Sequence, residues 1–338
     1  LSRLRRVSEQ LQDHTEYTGN TRGVIYVSLK ATLEAISLLD DATVDGAKVE
    51  IALRAAGVRE ISVTRVQGEK GFTDFVKAVI PGSSGRRNGG NAPTLGVIGR
   101  LGGIGARPEA IGLVSDGDGA CAAIAVAMKL GSMSAKGDVL PGDVVIATHV
   151  CPCAPTIPHE PVPFMGAPVD MATMNRLEID PSMDAVLSID TTKGNRVINH
   201  RGFAISPTVK EGYILRVSES LLDIMSMTTG RLPVTFPITT QDITPYGNGV
   251  YHLNSILQPA TATSAPVVGV AITAEIPVPG CASGATHAVD VEGVVRFVIE
   301  VAKAFGAGKC SFYDPDEFAR LVELYGSMKH LQTLGRKQ

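Results

Sequence analysis

The 338-residue chain has no tryptophan, and aromatic residues make up only 5% of it, whereas glycine (36) and proline (20) are plentiful. That composition implies many short elements joined by tight turns, which favours a layered α/β protein over a helical bundle. A basic excess is also missing: 31 Lys and Arg face 34 Asp and Glu, for a formal net charge of −3. A nucleic-acid partner is therefore excluded as an expectation. Charged residues are sparse at 19% against 44% hydrophobic, a balance that buries a large core and does not suit a disordered or fibrous chain. Long apolar runs are absent too. Stretches such as Val144–Thr148 and Ala265–Ile272 fall far short of the roughly 20 residues that span a bilayer, so no membrane partner is expected. The leading Leu1-Ser-Arg-Leu-Arg-Arg is basic without an apolar segment behind it, unlike a secretory signal. Five cysteines, at 121, 151, 153, 281 and 310, are an odd number that argues against a disulfide framework and for a reducing cytoplasm.

Apolar periodicity predicts helices over Ser28–Asp41, Val49–Ala56, Ala120–Leu130, Leu215–Met225, Val291–Ala304 and Pro315–Leu334. Residues 61–66 and 72–80 read as an antiparallel strand pair, and Gly82–Gly90 as a mobile loop. Buried strands are expected at Thr94–Leu101, Val144–Thr148, Ala185–Ile189 and Val267–Ala274. Buried strands alternating with helices describe a three-layer α/β/α domain with a mixed, mostly parallel central sheet. The whole chain is read as a single domain, with its core over 28–306 and a C-terminal helical extension over 313–335. In such sheets ligands sit at the carboxyl ends of strands.

Polar groups gather there. Val114-Ser-Asp-Gly-Asp-Gly119 opens a helix, and its two aspartates, Asp116 and Asp118, are more than an N-cap requires. The stretch from Thr148 to Pro161 holds His149, Cys151, Cys153, His159 and Glu160 among rigidifying prolines. Its Cys-Pro-Cys spacing is not that of a structural zinc site. Asp190 ends a buried strand, where it is placed either as a ligand or as a turn former. Asp290 caps the helix that follows His287, with His287 pointing into the loop, while Asp242 and Tyr246 lie in a turn or line the same cleft. A thiol nucleophile is conceivable at Cys151 with His149 two residues away. Kinase, P-loop and serine-hydrolase motifs are absent.

In order, Asp116-Gly-Asp-Gly-Ala-Cys-Ala-Ala, the segment Ile179 to Asp190, and Ile276-Pro followed by Ser283 and Asp290-Val-Glu resemble the motifs of the co-catalytic zinc aminopeptidases of the glutamyl and deblocking type. The inserted β-domain of those enzymes has no counterpart. Arg100-Leu-Gly-Gly-Ile-Gly stands where the family carries His-Met-Asp-Glu-Ile-Gly, and Ala282-Ser283-Gly284 stands for a His-Ser-Pro. The resemblance implies a zinc-exopeptidase-like fold and a metal-dependent hydrolase of amide bonds in small peptides or acylated amino acids. Asp116, Asp190 and His159 would hold Zn2+ or another divalent metal, with Glu160 as base. Arg100, Asp118, His149, Asp242 and His287 would line the cleft. The alternative expectation is a metal-free site that binds peptides or amino acids without catalysis, in which the Arg100 guanidinium takes the metal's place between Asp116 and Asp190. Exposed sheet edges and glycine loops are compatible with a homo-oligomer.

Overall fold

The structure is a computed structural model that describes residues 27–41, 43–68, 71–100, 113–152, 154, 156–158, 164–238, 255–279 and 285–335. Two helices lead, α1 (Ser28–Leu39) and α2 (Gly46–Ala55), the second capped by Asp45, whose side chain accepts from the Lys48 N–H. A hairpin follows, β1 (Glu60–Gly68) antiparallel to β2 (Gly71–Ile80). Next come β3 (Leu95–Gly99), α3 (Asp118–Ala135) and β4 (Val144–Val150). A small two-stranded pair, β5 (Thr156–Ile157) and β6 (Phe164–Met165), leads to α4 (Met171–Glu178) and β7 (Ala185–Thr192). The short strands β8 (Gly202–Ile205), β9 (Val209–Lys210) and β10 (Tyr213–Ile214) precede α5 (Glu219–Thr229). A 3-10 turn over Ser255–Thr261, β11 (Val267–Thr273), α6 (Ala288–Gly306) and α7 (Pro315–Tyr325) complete the order.

The fold is α/β. The sheet runs β1-β2-β4-β3-β7-β11-β9-β10, with β8 beside β11. Its centre, β4-β3-β7-β11, is parallel, and its flanks are antiparallel. The central strands are buried on both faces, as covered parallel strands must be. The two faces are covered unequally. One packs against α1, α2, α3, α5 and α6 in a large apolar cluster that includes Leu39, Leu53, Ile124, Leu221 and Phe297. The other is closed by the 3-10 turn, by α4 and by irregular chain bearing Ile198, Phe236 and Ile238.

Connectivity fixes where a ligand can sit. The chain leaves β3, crosses by α3 to β4 on one side, and then returns through α4 to β7 on the other side of β3. The strand order therefore reverses at the carboxyl end of β3, and the two crossovers lie on opposite faces. Open α/β sheets bind ligands at such a switch point, and Arg100 is the residue that follows β3 there. Close packing of α3 on the sheet depends on small residues: a methyl group at Gly99 would lie 2.4 Å from the Gly119 carbonyl oxygen.

Several boundaries differ from the sequence reading. The fifth helix begins at Glu219, where Ser218 accepts from the Leu221 N–H, and ends at Gly230 in the left-handed region (φ 67°). Leu215 and Val217 precede it. The last helix stops at Tyr325, before Gly326 (φ 81°). The Gly82–Gly90 segment is not a loose loop: Asp143, 3% exposed, accepts from the backbone N–H groups of Gly82 at 2.7 Å and Arg87 at 3.0 Å. Asp143→Ala leaves both donors unpaired and is expected to cost about 2 kcal/mol in urea unfolding. Proteolytic nicking near Arg86 and Arg87 is expected to rise with it.

At the sheet edge the buried Asp74 receives a two-pronged contact from Arg65, at 2.7 Å for each oxygen, and a third bond from the Gly46 N–H. Burial opposes its charge, but these donors outweigh burial and hold its carboxyl below the ordinary 3.8. A depressed folded pKa gives stability that is complete above the unfolded value and lost as pH falls through the folded one. The stability gap between wild type and Asp74→Asn is therefore expected to be widest above about pH 5 and to shrink on acidification. Urea titrations at a series of pH values read it directly. No helix among the described residues is long and apolar enough to cross a membrane.

Candidate functional site

Register places three polar residues in one row at the carboxyl edge. Gly99 is opposite Thr148 of β4 and Ile189 of β7, so the next position in each strand carries His149, Arg100 and Asp190 on a common face. The Arg100 N–H continues the ladder to the Ile189 carbonyl at 2.7 Å. All three side chains are buried, at 1%, 2% and 3% exposure respectively.

The Arg100 guanidinium does not bridge Asp116 and Asp190. Its Nη1 donates to Glu178 Oε2 at 2.5 Å and to Asn175 Oδ1 at 3.0 Å, and its Nη2 contacts Met171 Sδ. Because α4 lies across the same face of the sheet and ends at Glu178, a whole helix carries the counter-charge that the sequence reading had sought in the two aspartates. The other Glu178 oxygen meets His149 Nδ1 at 2.6 Å. Burial works against the charge of Glu178, but Arg100 and His149 outweigh it and hold its carboxyl below the ordinary glutamate range. An ionised carboxylate only accepts, so His149 Nδ1 carries the proton in that bond. Phe75 packs on the imidazole at a centroid distance of 5.7 Å.

On the α3 side the 3-10 turn Ser115–Gly117 holds Asp116, 8% exposed, immediately before Asp118 opens the helix. Asp118 is fully buried and its Oδ2 accepts from Lys193 Nζ at 2.7 Å. Burial pushes its carboxyl up, although Lys193, Thr286 and His287 all pull the other way. Asp190 Oδ1 accepts from the Thr191 N–H at 2.7 Å. The turn with Asp116 packs against β7, which carries Asp190.

The other expected residues divide clearly. Cys151 is 1% exposed, in a small apolar cluster with Val114 and Ala154. Glu178 is the group that orients the His149 imidazole, through its Nδ1. His287 is exposed and takes the N-cap position of α6 without a side-chain cap bond. Asp290 is not the cap; it pairs with Arg201 at 3.3 Å. Glu160, His159, Cys153 and Asp242 lie outside the described residues. Burial raises the thiols of Cys121 and Cys310, the latter to about 12, so neither is a nucleophile at neutral pH.

The zinc implied by the resemblance has to fit these donors. Among the described residues no three His, Cys, Asp or Glu side chains converge as a metal group, and the charge of Asp118 is already met by an ammonium. Asp116 and Asp190 alone do not complete a zinc site, which takes three or four protein ligands.

The fold and site define an α/β protein with two buried ion pairs at the carboxyl ends of its central parallel strands. Residues 64–335 match the family described as a protein of unknown function, DUF1177, and the chain belongs to that family. No curated protein matches the chain.

Proposed function

We propose that the chain binds a small peptide or acylated amino acid at the carboxyl end of β3, beside the buried cations Arg100 and Lys193. One observation carries this reading. Two buried cations, Arg100 and Lys193, sit in ion pairs of 2.5 and 2.7 Å with Glu178 and Asp118 at the strand ends where a ligand is expected. Such pairs are costly to bury, and a plain apolar closure would serve stability as well. Their presence at the ligand-binding edge of the sheet supports a polar ligand.

The zinc-exopeptidase-like architecture belongs to the same proposal, as do a cytoplasmic setting and a homo-oligomeric state. Thermal denaturation with a panel of short blocked peptides tests the binding. A saturable rise in melting temperature that weakens in Gly119→Ala supports the reading, and no rise with any peptide sinks it.

A second reading is hydrolysis of the same amide bonds, with Glu160 as base and Asp116, Asp190 and His159 as metal ligands. It is favoured by the burial of Asp116 and Asp190 on packed neighbouring elements. Turnover of the panel that is lost in Glu160→Ala and follows bound zinc, cobalt or manganese would establish it. Less than about a tenth of an equivalent of metal, unrestored by reconstitution, would end it.

A further inference from the structure

The sheet has two ends of different kinds. At one, β10 is two residues long. At the other, β1 runs for nine residues and pairs one to one with β2, without a bulge. Among the described residues, no backbone group over 61–66 bonds to anything but β2, so every second residue turns an unmet N–H and C=O outward. Proteins blunt such an edge with proline, lysine, a bulge or a covering segment. β1 has neither proline nor lysine, and its one arginine, Arg65, folds back onto Asp74 with Phe72 against its guanidinium. Pro168 lies against Gly68 at the far end, which leaves residues 60–66 as the open ladder.

The helix beside this edge selects the strand that completes it. α2 packs over both β1 and β2. With strands about 4.8 Å apart, a helix centred over the last two has its axis about 2.4 Å inside β1. An antiparallel pair of β1 strands about a twofold axis therefore brings two α2 axes to about 10 Å, an ordinary packing distance for helices. The α2 flank nearest the edge is marked by Arg54, which donates to the Arg59 carbonyl at 3.2 Å and to Glu50 at 2.6 Å. A twofold axis runs the two helices antiparallel, so the acid of one copy faces the base of the other. Beside that flank stand Ala47 and Ile51, the latter 69% exposed. A lone peptide strand on the edge would leave all of these uncovered.

We propose that β1 pairs with β1 of a second copy about a twofold axis at Val63, joining both sheets into one with the two α2 helices packed across the seam. Val63 touches the Gly46 position of α2, so Ser62 and Thr64 lie on the opposite face, where Ser62 meets the partner's Thr64. In this register neither Glu60 nor Arg65 opposes a like charge. The inference rests on the homo-oligomeric state proposed above, gives it an interface, and is independent of peptide binding.

Sedimentation equilibrium of the full chain tests it. Wild type is expected at twice the 35.4 kDa of one chain. The double variant Ser62→Lys, Thr64→Lys changes two exposed side chains and sets lysine against lysine twice across the axis. It is expected to weaken self-association at least about tenfold while still melting cooperatively. Arg54→Glu is expected to weaken it several-fold, and Glu50→Arg, Arg54→Glu to restore it. Amide exchange over residues 60–66 is expected to slow as wild type is concentrated, and not in the lysine variant. Monomeric wild type overturns the interface and the homo-oligomeric state together. An oligomer indifferent to the lysines or to Arg54→Glu, or one whose β1 amides exchange equally fast at every concentration, overturns the interface alone.

Discussion

Arg100→Met is expected to destabilise the protein by about 3–5 kcal/mol, because it strands the Glu178 carboxylate in the interior. Glu178 has no exposure, and its ionised state depends on the guanidinium at 2.5 Å and on His149 at 2.6 Å. With the guanidinium gone, burial pushes the carboxyl up, with only His149 left to oppose it. The double variant Arg100→Met, Glu178→Gln removes both charges and is expected to recover most of the loss, since a matched neutral pair carries no uncompensated charge. Urea unfolding of the two single variants and the double gives the coupling directly. Equal loss in the single and double variants would mean that Arg100 acts through packing of its stem and not through charge.

Gly119→Ala is expected to cost about 1–3 kcal/mol as an overpacking change and to impair ligand binding beyond that. A methyl group there would stand 2.6 Å from the Arg100 carbonyl oxygen and 2.7 Å from that of Ile189. Both obstacles are backbone, so no side chain can swing aside. The same spot holds the Arg100 N–H to Ile189 carbonyl bond that sets Arg100 beside Asp190. Moving α3 outward to admit the methyl would also carry Asp118 away from Lys193. Thermal unfolding checks the first effect, and peptide titration the second. A variant with wild-type stability and affinity would show that α3 is free to shift.

Much of the frame was legible because the central strands are short apolar runs closed by polar residues. Val144–Thr148 and Ala185–Ile189 both proved to be buried parallel strands, and His149 and Asp190 do stand at their ends. The candidate site was legible only as a list of strand ends. Its two ion pairs were not, because Lys193 lies in an undistinguished Thr-Thr-Lys-Gly turn, and Glu178 belongs to an eight-residue helix, α4, too short for periodicity to register. Signals for α4 exist: Asp170 caps it through the Thr173 N–H, and Glu178 sits in its last turn, where a negative charge opposes the helix dipole. An acid placed against the dipole calls for a cation, and Arg100 supplies it. The fifth helix was displaced because Leu215 and Val217 extend the apolar pattern backwards past the true cap, Ser218. The expectation that Arg100 stands between Asp116 and Asp190 failed for a geometric reason: α4 brings Glu178 and Asn175 to the guanidinium first.

The central claim is that the carboxyl end of β3 binds peptide groups beside protein cations and without a metal. Calorimetric titration of the full chain with its best blocked peptide, before and after exhaustive dialysis against a chelator with metal content measured in parallel, tests it most directly. The expected result is the same affinity in both preparations at well under one equivalent of metal. Near-stoichiometric zinc whose removal abolishes binding, with affinity restored when it is returned, would contradict it.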